Sequence, residues 1–227
     1  MLAWITTWLA LGSLLALPVG GLDMVPWSEP LTARGFERLF EEDGVTVYRH
    51  RRSEVVRLGA EGRFGVPPAE LRRVLLAYER HEAGVERVVE SRILDRGGNW
   101  LLVYQRLDLP LLDDRDHVLF VTWGADDDGA LWTRFRAVND QGPPPREDAV
   151  RLTHHRGSWQ LRSIEGGRAT RARYQVSLDL GGLVPSWLAR TSAGDEVPAL
   201  FADLCRLLGR PVSAAGVCPA DAAPGAD

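Results

Sequence analysis

The order of the elements restricts this chain most. Between Val45 and Leu178 the sequence is one short alternating run after another, broken by glycine and Asp-Gly turns, and it then closes on a single amphipathic helix. The most explicit run is Arg115 to Trp123, where Arg115, His117, Leu119, Val121 and Trp123 alternate with Asp116, Val118, Phe120 and Thr122. Both faces of that strand are largely apolar, so one or both are covered. Val45 to His50 with Glu54 to Phe64, and Arg87 to Asp95 with Asn99 to Leu107, read as hairpins. Leu131 to Val138, Val150 to His155, Ser158 to Ser163 and Ala169 to Leu178 follow. In the last of these, Arg171, Arg173, Gln175 and Ser177 read as a solvated face opposite Thr170, Ala172, Tyr174 and Val176. The closing helix, from about Pro185 to Leu208, carries its apolar stripe on Val197, Leu200, Phe201, Leu204 and Leu208, and Gly209 and Pro211 end it. The prediction is an α+β fold with a bent antiparallel sheet of about nine strands. A helix that follows the last strand of such a sheet has only the concave face to pack on.

Two further helices are predicted. One runs from Thr32 to Glu42 on the stripe Phe36, Leu39 and Phe40, and the other starts at Pro67-Pro68 and carries Leu71, Val74, Leu75 and Tyr78. Ahead of them, Leu2 to Val19 is apolar and is followed by the small residues Gly20 and Gly21. Residues 1–21 therefore read as a signal peptide that exports the chain to the periplasm or the medium. An uncleaved inner-membrane anchor is the alternative, since the run is just long enough to span, and a cytosolic start is the third reading because no basic residue precedes it. Residues 211–227 are small and polar and read as a disordered tail. Cys205 sits in the helical stripe and Cys218 in that tail, which gives one buried and one loose thiol in preference to a disulfide.

Several chemistries are excluded early. All 27 basic residues apart from histidine are arginine, so no lysine can form a Schiff base or hold a nucleotide phosphate. The net charge of -4 argues against nucleic acid as a partner, and the arginines between Arg146 and Arg173 alternate with apolar residues as a solvated sheet face does. His154 and His155 are neighbours in an extended run and point to opposite faces, so they cannot share a metal. His81-Glu82 lacks the second histidine of a zinc helix, and neither a nucleophile elbow nor a dinucleotide fingerprint is present. No metal or cofactor is expected.

Four stretches, taken in order, resemble the START lipid-transfer domains of the helix-grip superfamily. They are Asp43-Gly44-Val45-Thr46-Val47-Tyr48, Leu109-Pro110 with Asp114-Arg115-Asp116, Trp159 with Leu161, and Asp179-Leu180-Gly181-Gly182-Leu183-Val184-Pro185-Ser186-Trp187-Leu188. Leu180 stands where the family's motif has a proline. The resemblance covers residues 27–210. It implies a curved sheet wrapped around the long C-terminal helix, with a tunnel between them that holds one hydrophobic molecule, a lipid or sterol. It also implies that Arg115 projects into the tunnel and that Leu109 to Asp114 form its mouth.

On that footing the ligand-binding residues are Arg115, His117, Leu119, Val121, Phe135, Trp159, Leu161, Tyr174, Val176, Trp187, Leu188 and Leu204. All the apolar ones are core by default and become contacts only where a cavity is left among them. Arg115 either orients a ligand head group or pairs with Asp116 or Asp108. Leu109, Leu111 and Leu112 either touch a membrane transiently or pack on the C-terminal helix near Trp187. The leading expectation is a monomeric, non-enzymatic binder of a lipid or other hydrophobic small molecule. The alternatives are a polyketide aromatase/cyclase-like enzyme using Arg115, His117 and Tyr174, and an envelope interaction module with no ligand.

Overall fold

The computed structural model describes residues 25–51, 53, 55–109, 112–182, 196–212 and 218–219. The leader, Leu111, Trp187, Leu188 and most of the tail lie outside these residues. The strands are β1 (Phe36–Glu42), β2 (Val45–His50), β3 (Val56–Phe64), β4 (Val88–Arg96), β5 (Trp100–Leu107), β6 (Asp114–Ala125), β7 (Leu131–Ala137), β8 (Ala149–Arg151), β9 (His155–Ile164) and β10 (Ala169–Leu178). Nine of them form one antiparallel sheet in the order β1-β2-β3-β10-β9-β7-β6-β5-β4. The tenth, β8, is a three-residue strand that lies parallel to the start of β6, with Arg115 opposite Val150. Among the described residues the α-helices are α1 (Pro68–Leu75), α2 (His81–Gly84) and α3 (Glu196–Leu207). Leu71, Val74 and Leu75 of α1 and Phe201, Leu204 and Leu207 of α3 are buried in one core with the inward residues of β2, β3, β9 and β10. This is the predicted α+β helix-grip arrangement.

The predicted Thr32–Glu42 helix is not formed. A short 3-10 turn, Leu31–Arg34, ends at Gly35 with φ +83°, and β1 starts at Phe36. The apolar residues at i, i+3 and i+4 suit a helix, but a β-bulge between Arg38 and Phe40 accounts for them equally well. The extra residue turns Phe36 and Phe40 to opposite faces. Phe36 packs with Val25 and Leu31, whereas Phe40 packs on the main core, and Leu39 is left exposed. Similarly, the helix that starts at Pro68 stops at Leu75, and Tyr78 follows on a separate 3-10 turn, Tyr78–Arg80.

The outer face of β10 is solvated only at Arg171. Arg173, Gln175 and Ser177 are buried. The segment from Val25 to Arg34 lies over them: the Arg173 guanidinium donates to the carbonyls of Val25, Pro26 and Glu29 at 3.0–3.1 Å. It also pairs with Glu61 and stacks on Trp27. Strand alternation alone cannot show that a distant segment returns to cover such a face.

The cysteines form a disulfide, Cys205–Cys218, with Cα atoms 5.7 Å apart. The expectation of two separate thiols is overturned. Cys218 is buried, and its carbonyl accepts the Gly65 amide at 2.7 Å beside the end of β3. Nothing in the spacing announced this return. Near the same end of α3, the buried Asp203 accepts the Glu86 amide at 2.7 Å and pairs with Arg206, and Arg80 donates to the Leu207 carbonyl at 2.8 Å. Burial is the main influence on Asp203 and raises its carboxyl above the usual range.

Candidate functional site

The concave face is built by alternation. Arg115, His117, Leu119 and Val121 project inward from β6, and Asp116 and Val118 project outward. Arg115 is 2% exposed. Its Nε donates to the Leu180 carbonyl at 2.7 Å, and its Nη1 donates to the Asp113 carbonyl. Burial lowers its pKa, against the opposing charges of Asp113 and Asp114. The ion pair with Asp116 or Asp108 is not made. Asp116 points to the other face, where it pairs with Arg151, and Asp114 pairs with Arg106. Arg115 instead ties the loop before β6, the segment expected to form the mouth, to the glycine element after β10. In that loop Leu109 and Leu112 are half-buried, and the Leu112 amide donates to the Leu109 carbonyl at 3.1 Å.

One residue further in, a buried polar ladder crosses the sheet. His81 Nε2 lies 3.4 Å from the Val74 carbonyl, so it carries the proton and leaves Nδ1 as an acceptor. Gln105 Nε2 lies 3.5 Å from that Nδ1 and donates to Ser91 Oγ at 3.1 Å. The Gln105 amide oxygen then faces His117 Nε2 at 3.4 Å, which must be the donor. It follows that His117 Nδ1 is an unprotonated acceptor. It is buried and has no partner, and His155 Nδ1 is likewise buried without one. The His117 and His155 rings meet edge-on at 4.7 Å, and His155 meets Phe135 at 5.2 Å. All three imidazoles are neutral. Burial holds His81 and His155 at about 4 and His117 well below its ordinary value.

The apolar part of the face lies on either side of Phe135. Leu119 and Val121 join Leu101, Val103 and Tyr78, and Trp159, Leu161, Tyr174, Val176 and Leu204 join the core under α3. The half-buried Phe135 packs against both clusters. It has room because residue 157 is glycine: a Cβ there would come within 2.3 Å of the Phe135 ring and 2.6 Å of the Gln175 carbonyl. Trp159 stacks near Tyr174 at 4.7 Å and near Phe201 at 5.1 Å. His117 is thus brought to His155 and Gln105, and among the described residues it shares no hydrogen bond or ring contact with Tyr174. Ser91 and Gln105 were not singled out from the sequence, and Phe201 was named only in the stripe of the closing helix. Gln105 shares a face with Leu101 and Val103, and a polar residue in that apolar register was the available signal. Among the described residues no three His, Cys, Asp or Glu side chains gather as they would around a metal.

A STAR-related lipid transfer protein fragment from Xanthomonas axonopodis superposes with a TM-score of 0.72 at 23% identity, covering 78% of this chain and 99% of that one. The chain has the START fold. Human StAR-related lipid transfer protein 5 (TM-score 0.70, 18% identity, 79% of this chain and 90% of that one) shares the START fold with it. So does human STARD10 (0.69, 18%, 84% and 82%). No family model matches the sequence. An uncharacterized protein of Pseudomonas aeruginosa is 29% identical over 112 residues, 49% of this chain. The match spans about half of that relative's length, 54%.

Proposed function

We propose that the protein is a non-enzymatic binder of one lipid or other hydrophobic small molecule, held between the concave face of the sheet and α3. The observation that carries this reading is the open acceptor at His117 Nδ1, set between the buried polar ladder and the apolar cluster of Leu119 and Val121. A buried polar atom without a partner costs about 1–3 kcal/mol, and a guest bearing a hydroxyl would remove that cost. Leu119, Val121, Phe135 and Trp159 suit the guest's apolar body, whose burial contributes about 0.8 kcal/mol per methylene. The similarity to folds described as lipid transfer proteins supports the same reading. In this proposal the protein works as a monomer with one guest, and the rim at Leu109 and Leu112 meets a membrane transiently during exchange. Native mass spectrometry of protein purified from its own host should show one lipid-sized adduct per chain. His117→Leu should weaken retention of a hydroxyl-bearing guest about tenfold, the worth of one hydrogen bond. Absence of any adduct, together with no transfer between vesicles, would sink the proposal.

We also propose that the chain works outside the cytoplasm, with residues 1–21 either cut away or kept as an anchor. The support is Cys205–Cys218, because structural disulfides persist in oxidising compartments. The bridge joins residues 13 apart, so Cys218→Ser should lower stability to urea by about 3 kcal/mol. In intact cells neither cysteine should react with an alkylating reagent until a reductant is added. Recovery of fully reduced protein from the cytoplasm would contradict the placement.

A further inference from the structure

The polar ladder on the concave face has a direction, and that direction originates outside the sheet. Gln105 stands directly opposite Ser91 of β4 and His117 of β6, so the three side chains form one cross-strand row. All three are buried, as is His81 at the start of α2. A glutamine can stand in such a row either way round, with its amide oxygen or its amide nitrogen toward His117.

The surroundings permit one of the two. The Val74 carbonyl of α1 can only accept, so His81 Nε2, 3.4 Å away, holds the one proton of the neutral ring and His81 Nδ1 can only accept. Gln105 must then turn its Nε2 toward that Nδ1, at 3.5 Å, and its oxygen toward His117 Nε2, at 3.4 Å. With the amide reversed, His81 would have to donate from Nδ1, and its bare Nε2 would face the Val74 carbonyl, acceptor against acceptor. Ser91 Oγ, 3.1 Å from Gln105 Nε2, can donate or accept and opposes neither orientation.

His117 thus receives its tautomer from α1 through two side chains. With the proton fixed on Nε2, Nδ1 presents a lone pair and nothing else, buried and unpartnered. A guest satisfies that atom only by donating to it. An ether, ester, ketone or carboxylate brings lone pairs alone, and two buried acceptors set against each other leave both unsatisfied. A site built around one hydrogen bond rejects most sharply the analogue that cannot make it. Arg115, the cation on the same face, gives its Nε and Nη1 to the carbonyls of Leu180 and Asp113.

We propose that Gln105 is the specificity-determining residue of the guest site: by holding the His117 proton on Nε2, it makes the site choose lipids that end in a neutral hydroxyl over lipids whose polar end only accepts. Gln105 acts here through His117 and not on the guest, and the selectivity rests on the guest-binding reading above. The ligand class it names is a lipid alcohol.

Two matched pairs of probes test this on the full chain, hexadecanol with its methyl ether and cholesterol with its methyl ether. Each pair is offered in equal amounts, and the retained member is read by native mass spectrometry. The alcohol should be preferred about tenfold in at least one pair, the worth of one hydrogen bond. In Gln105→Leu the His117 proton is free to move to Nδ1, and the preference should fall to parity. Gln105→Glu still offers an oxygen to His117 Nε2 and should keep the preference. A purely structural role would change how much lipid is held and not which member of the pair. Nitrogen NMR of the imidazoles supplies a reading that needs no variant: at neutral pH His117 should carry its proton on Nε2, and Gln105→Leu should show both tautomers. A proton on His117 Nδ1 in the unmodified protein, or equal retention within a pair that binds, would overturn the selectivity and leave guest binding standing. A preference unchanged in Gln105→Leu would overturn the role of Gln105. Retention of no member of either pair would count against guest binding itself, while the NMR result would still decide the tautomer.

Discussion

Between pH 7 and pH 5 the folded protein is expected to lose stability steeply. His81 and His155 are held at about 4 by burial, and His117 lies well below its ordinary value. In the unfolded chain each titrates near the ordinary imidazole value of 6.5. Below that value the unfolded state binds more protons than the folded one, so stability falls as the pH falls. The loss begins near pH 6.5 and continues until the folded imidazoles themselves protonate, near 4 for His81 and His155. By pH 5 the cost is about 2 kcal/mol for each of these two, with a further contribution from His117. Urea unfolding at stepped pH measures it. His155→Phe, which keeps a ring beside Phe135, should remove that residue's share of the slope. A stability that stays flat from pH 7 to pH 5 would show that these imidazoles are not buried as described.

The second large effect lies on the other face of the same strand. Asp116 is fully buried and holds Arg151 through two hydrogen bonds, 2.7 and 2.9 Å, while accepting the Tyr104 hydroxyl at 3.2 Å. Arg151 also donates to the carbonyls of Pro143 and Pro144, so the pair fastens the loop after β7 to the back of β6. Asp116→Ala leaves Arg151 with its charge unpaired and Tyr104 without an acceptor, and should cost about 3–5 kcal/mol. Replacing both partners, Asp116→Leu with Arg151→Met, should recover much of that loss, because no uncompensated charge remains. A single substitution that costs under about 1 kcal/mol would mean that water already reaches the pair.

These two results bear on what the sequence could reveal. Strand β6 was legible because both of its faces are apolar, and its inward set of Arg115, His117, Leu119 and Val121 follows from alternation alone. The amphipathic face of α3 was legible for the same reason, since its period is local. Most of the misses are matters of return in three dimensions. Strand β1 was read as a helix because a bulge reproduces helical spacing. The outer face of β10 was given to water because the segment that covers it lies about 150 residues away in sequence. The partner of Arg115 was sought among neighbouring acids, although adjacent strand residues point apart and the true acceptors are backbone carbonyls of two loops. The polar ladder stayed hidden because Ser91, Gln105, His117 and His155 come from four different strands, and only His117 was picked out within its own.

The fastening of α3 is uneven along its length. Its second half is bound covalently at Cys205, through the carboxylate of Asp203 and at the Leu207 carbonyl, whereas its first residue is tied by an exposed pair between Glu196 and Arg87. The helix therefore cannot lift away from the sheet as a unit. Any outward swing is that of a door hung on its C-terminal side, and the gap it opens is widest at Glu196.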